Sequence, residues 1–101
     1  MNQYSEEFSW DVAGAESYSR KLNGVRVTFI DKNGEVVGDS EENLPLDNHL
    51  NREEVKIASL EGEGFAIRKS DTLAQQMVYF CKSVNDGYVR VAVKTSTYSQ
   101  I

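Results

Sequence analysis

The only histidine of this chain lies in "DNHLNREE", Asp47 to Glu54, among carboxylates, two amides and an arginine. Such residues can make a general base, a metal site or a charged anchor, and their surroundings decide which. No second histidine stands three or four positions away, and one histidine with one cysteine cannot build a closed zinc site of the usual ligand set. Cys81 sits between Phe80 and Lys82 in an apolar run with no nucleophile signature, which reads as a small buried hydrophobe. "GEGF" is a lone pair of glycines, short of a loop that cradles phosphate. The acidic residues Glu35, Asp39, Glu41, Glu42 and Asp47 read as a solvated charged loop in preference to a cation site. No catalytic residue, metal ligand or cofactor is therefore expected.

Binding has more support. Strand alternation puts Arg68 and Ser70 on one face, and puts Tyr79 on one face with Met77 and Cys81. If the segment around His49 crosses that sheet face, then His49, Arg52, Arg68, Ser70 and Tyr79 converge on a small cavity suited to a carboxylate or another anion. The plainer alternative has His49 bracing the segment, Arg52 paired with a nearby acid and Tyr79 filling the core with its hydroxyl satisfied. Buried polar groups so often satisfy one another that the plainer arrangement is favoured at this level.

The elements that must position these residues follow from periodicity. Apolar residues from Phe8 through Val12, Ala15 and Tyr18 to Leu22 recur at helical spacing before Asn23-Gly24, which predicts an amphipathic helix over Ser5 to Leu22. "VRVTFID" alternates as a strand with one buried face, and Asn33-Gly34 signals a hairpin, with a type I′ turn, returning through "EVVGDS". The alternation then stops until Leu60. Asn51 followed by Glu54 fits a capping box at the start of a helix in "NREEVKIASL", ended by Gly62 and Gly64. "FAIRKS", "QMVYFCKSV" and "YVRVAVKTS" read as three strands, joined by "DTLAQ" and "NDG". The fold class is α+β: a five-stranded antiparallel sheet, the helical crossing segment on one face, the first helix on the other.

Length and charge bound the rest. A chain of 101 residues, 40% hydrophobic and 27% charged, forms one domain with its own core, residues 1–101. The net charge is -5, with 4 basic and 10 acidic residues in 1–50 against 7 and 6 in 51–101. No basic patch exists to neutralise phosphates, so nucleic acid is not an expected partner. No run of about 18 apolar residues is present. A chain that starts within a helix and stops after a strand nevertheless suggests a piece excised from between membrane segments. Phe8, Trp10 and Val12 on the first helix exceed what a small sheet needs to cover, which suggests a homodimer.

Four stretches in order, "RVTFIDKNGEVVGDSEE", "DNHLNREEV", "RKSDTLAQQMVYF" and "GYVRVAVKTS", cover residues 25–96. Together they resemble the extracytoplasmic PAS-like sensor domain of PhoR-type sensor histidine kinases. Departures are Glu53, where the family has proline after the arginine, and Lys69, where an aromatic often precedes the serine. The resemblance implies a PAS-like, PDC/Cache-type fold with sheet order 2-1-5-4-3 and a long N-terminal helix over residues 1–24. It implies transmembrane helices on both sides and placement at the extracytoplasmic face of the cell membrane, with a kinase dimer as the parent receptor. The domain would be non-catalytic, signalling phosphate status to the kinase. Its partner would be a small anionic ligand or a membrane or periplasmic protein, since relatives receive phosphate information largely through a transporter complex. A protein-interaction or dimerisation module is the alternative reading.

Overall fold

A computed structural model describes residues 8–69 and 75–95. Helix α1 spans Val12–Lys21, strands β1 and β2 span Arg26–Asp31 and Val36–Asp39, and helix α2 spans Glu53–Glu61. Strands β3, β4 and β5 cover Glu63–Lys69, Gln76–Val84 and Gly87–Lys94. They form one antiparallel sheet in the order β2-β1-β5-β4-β3. Each hairpin keeps its two strands adjacent, and β5 closes the sheet by pairing with β1 from Arg26↔Ala92 to Asp31↔Gly87.

The two sheet faces carry separate clusters. Val27 and Phe29 of β1 join Ala15 of α1 and Val89 of β5, with Phe8, Trp10 and Tyr18 packed around them. Ile30, Val36, Cys81 and Tyr88 meet Val55 and Ala58 of α2 on the opposite face. The expected division, with α1 on one face and the crossing segment on the other, is what forms.

The first helix is shorter than its periodicity predicts. Asp11 is the N-cap, its carboxylate accepting from the Gly14 amide at 2.9 Å, and helical geometry begins at Val12. Residues 8–11 instead fold back along the helix, so that a Cβ on Gly14 would lie 1.6 Å from the Ser9 carbonyl oxygen. The first three residues of the expected span, 5–7, lie outside the described residues. Phe8 packs tilted against Tyr18 at 4.8 Å and Trp10 stacks on Phe29 at 4.5 Å, so both are used inside the chain. Of the three residues behind the expected dimer face, only Val12 is left exposed, at 36%. Asn23, with φ 66°, and Gly24, with φ 87°, end the helix as their types require.

Two further expectations change. Strand β1 is buried on both faces, because Thr28 is covered as fully as Phe29. The Asn33-Gly34 turn is not type I′, since only Gly34 has positive φ, at 89°. The Asp31 carbonyl accepts from Gly34, and the Asp31 carboxylate accepts from Asn33 and Glu35. This is a type I turn followed by a left-handed glycine, and the β1–β2 register shifts beside it.

Candidate functional site

Residues 40–52 cover the sheet as an irregular segment of bends and turns tied down at both ends. At the first end Asp39 is buried, its carboxylate accepting from the amides of Glu41 and Glu42, the Thr28 hydroxyl and the Arg26 guanidinium. Burial opposes its ionisation, but Arg26, those amides and Thr28 together hold its pKa below the ordinary value. Asp39 is thus a buried anchor and no part of a solvated acidic loop. At the other end Asn48 donates to the Asn33 carbonyl and to Glu35, while the His49 amide donates to the Gly34 carbonyl at 2.8 Å. The segment passes so close to the hairpin that a Cβ on Gly34 would lie 2.4 Å from the Asn48 side-chain oxygen.

His49 is 5% exposed, with Nδ1 2.7 Å from the Asp47 carbonyl oxygen. A carbonyl only accepts, so Nδ1 carries the proton and Nε2 presents a lone pair. Burial, then the charges of Arg90 and Arg52, push the imidazole pKa down to about 4. At neutral pH it is an uncharged hydrogen-bonding group and a weak base.

The expected capping box does not form. Arg52 is the N-cap of α2, without a side-chain capping bond. Glu54 turns inward, fully buried, and takes two bonds from Arg68 at 2.5 and 3.0 Å and one from Arg90 at 3.3 Å. Burial raises the Glu54 pKa, yet the arginines outweigh it and the carboxyl stays below its ordinary value. Arg90, 3% exposed, also donates to the Thr28 hydroxyl, which donates to Asp39. A continuous polar chain therefore runs across the sheet, Arg68–Glu54–Arg90–Thr28–Asp39–Arg26.

Strand β4 lies between β3 and β5, so Tyr79 has an arginine on each side. The Arg68 and Arg90 guanidinium carbons sit 4.1 and 4.9 Å from its ring centroid, within cation–π range. Over this floor opens a cavity of about 560 Å³. Its cationic lining is Arg26, Arg52, Arg68, Lys69 and Arg90, against Glu42 and Asp47, with His49, Tyr79 and Leu46 completing it.

Four of the five residues expected at a binding site, His49, Arg52, Arg68 and Tyr79, thus line one cavity; the fifth, Ser70, lies outside the described residues. Part of the plainer alternative also holds, because buried His49 braces the crossing segment through its amide on the Gly34 carbonyl and its ring on the Asp47 carbonyl. Arg52, by contrast, has no ion pair among the described residues, where the pairs are Arg26–Asp39, Arg68–Glu54 and Arg90–Glu54. Arg90 Nε is buried with no hydrogen-bond partner. Arg26 and Arg90 went unnoticed in the sequence and Glu54 was read as half of a capping box, although a charge inside the apolar run "YVRVAV" is a signal that something buried must meet it.

Cys81 is buried, and burial pushes its thiol up to about 12. Among the described residues no three His, Cys, Asp or Glu side chains are grouped to hold a metal ion, and no helix is long and apolar enough to cross a membrane. No protein-family model matches the chain, and no curated protein matches it significantly.

Proposed function

We propose that this chain is the extracytoplasmic sensor domain of a membrane-bound sensor histidine kinase, of the PhoR type that its motifs resemble, and that it takes a small anion in the arginine-lined cavity. One observation carries the ligand reading: five cationic side chains line a single cavity, Arg52 and Lys69 among them form no ion pair with a described residue, and the Nε of buried Arg90 has no acceptor. A carboxylate or phosphate would supply the missing acceptors. The sheet order and the placement of a helix and crossing segment over the sheet support the PAS-like, PDC/Cache-type assignment.

The cavity is roofed by the crossing segment and floored by the sheet, so an anion bridging Arg52 to Arg90 would pull α2 toward β5. Such a ligand signals only through a difference in affinity between two packings. In the parent receptor, a kinase dimer, displacement of the sheet relative to α1 would reach the membrane segments. The test is a thermal-shift series with phosphate, small carboxylates, amino acids and divalent cations, on the parent chain and on Arg52→Ala. A ligand at a hundred times its Kd adds about 2.7 kcal/mol of stability. The expected result is a saturable rise with an anion, lost in Arg52→Ala. If no compound shifts the melting temperature, the anion-sensor reading is abandoned. The second reading, a protein-interaction module, is favoured by Phe65 and Ile67, exposed at 58% and 53% on the sheet.

A further inference from the structure

Among the described residues strand β3 is an edge strand, paired with β4 on one side only. Its sequence is Glu63-Gly64-Phe65-Ala66-Ile67-Arg68-Lys69. Glu63, Phe65, Ile67 and Lys69 alternate onto one face and all are exposed. The β3 part of that face lies beyond the reach of α1 for a geometric reason. Five strands at about 4.8 Å spacing make a sheet roughly 19 Å wide, whereas a helix about 10 Å across covers about two strands, and α1 lies over β1 and β2. Phe65 stacks on Phe80 at 6.2 Å, which extends the apolar surface inward from the edge.

An edge with open backbone groups and large apolar side chains is a template for another strand. Natural edges are usually blunted by charges that repel an approaching copy. Here the charges have the opposite effect. If a second β3 pairs antiparallel about a two-fold axis through Ala66, Glu63 faces Lys69 of the partner, Phe65 faces Ile67 of the partner, and each contact occurs twice. Moving the axis to residue 65 puts Glu63 opposite Ile67, and moving it to residue 67 puts Phe65 opposite Lys69. A parallel arrangement sets Glu63 against Glu63. Only the register centred on Ala66 matches charge with opposite charge and apolar with apolar.

From this self-complementarity we infer that two copies of the chain associate through β3, forming a continuous ten-stranded antiparallel sheet with two-fold symmetry. The apolar pairs Phe65–Ile67 supply the attraction, and the reciprocal Glu63–Lys69 pairs select the register. The arginines of each cavity lie on the other face of the sheet from Phe65 and Ile67, and Lys69 alone is shared between the cavity lining and the strip. Glu63, Phe65 and Ile67 line no part of the cavity, so the association stands whether or not an anion binds there.

Sedimentation equilibrium over micromolar to millimolar chain concentrations tests the inference. The expected result is a concentration-dependent dimer that Ile67→Asp makes monomeric. Glu63→Lys alone and Lys69→Glu alone each place like charges opposite one another twice, raising the dissociation constant about tenfold. The doubly swapped variant Glu63→Lys with Lys69→Glu restores the parent value, because every pair is reinstated with its signs exchanged. Both charged positions are exposed, and circular dichroism checks that each variant stays folded. A chain monomeric at every concentration overturns the inference, as does a dimer indifferent to Ile67→Asp or a double swap no better than the single ones.

Discussion

Replacing Glu54 by glutamine keeps the side-chain volume and removes one negative charge from the centre of the α2–sheet contact. The two arginines it serves respond differently. The Arg68 side chain is 35% exposed and can recover water, so its loss resembles that of a surface pair, about 1 kcal/mol or less. Arg90 has a side chain only 3% exposed, and its Nε already lacks a partner, so it is left as a poorly solvated charge beneath the cavity. Breaking a buried pair by removing one partner costs about 3–5 kcal/mol, which sets the expected loss at roughly 4 kcal/mol. For a domain of this size that is a fall of about 15–30 °C in melting temperature. Urea unfolding of the parent, Glu54→Gln, Arg90→Met and the double variant measures it. The double variant should be more stable than Glu54→Gln alone, because removing the orphaned guanidinium removes the cost. Arg68→Met, which leaves Glu54 bonded to Arg90, should lose less than Glu54→Gln. A Glu54→Gln variant within 1 kcal/mol of the parent, or a cycle in which the two changes simply add, would refute the assignment of Glu54 as the counter-charge of Arg90.

Acid should act in two stages. The His49 pKa falls from 6.5 to about 4 on folding, so the unfolded chain takes up the proton first and stability declines between those values, by up to about 3 kcal/mol; His49→Asn should flatten urea midpoints over that interval. Asp39 and Glu54, both held below their ordinary values, contribute stability that is present at neutral pH and is lost only as pH falls further through their lowered values. Gly34→Ala should cost about 3 kcal/mol, from the positive φ and the approach of Asn48 and Leu50, and should loosen the crossing segment; amide exchange at His49 would report it. Cys81 should react with a thiol reagent only as fast as the chain unfolds, and one full equivalent should appear at once in urea; rapid labelling of the native chain would contradict its burial.

Residue order alone determined the elements. Periods of two and 3.6, Asn23-Gly24 and Gly62 place five strands, the second helix and the end of the first to within a few residues, because those signals are carried by neighbours in the chain. Strand alternation also put Arg68 and Tyr79 on faces that a crossing segment could cover, so that four cavity residues were within reach of the sequence. Local pattern went wrong where a local bond competed with a distant one. Asn51 and Glu54 have capping-box spacing, yet Glu54 faces two guanidinium groups 14 and 36 residues away, and the charge-assisted bonds there outweigh an end-cap in water. Helical spacing ran on through Phe8, where the aromatic surface of Tyr18 and Phe29 drew the chain back on itself. Only the tertiary structure decided that Arg26 and Arg90 belong to the site. Their partners come from other strands and from α2, and the sheet register that brings Thr28 opposite Arg90 exists only once β5 has docked on β1.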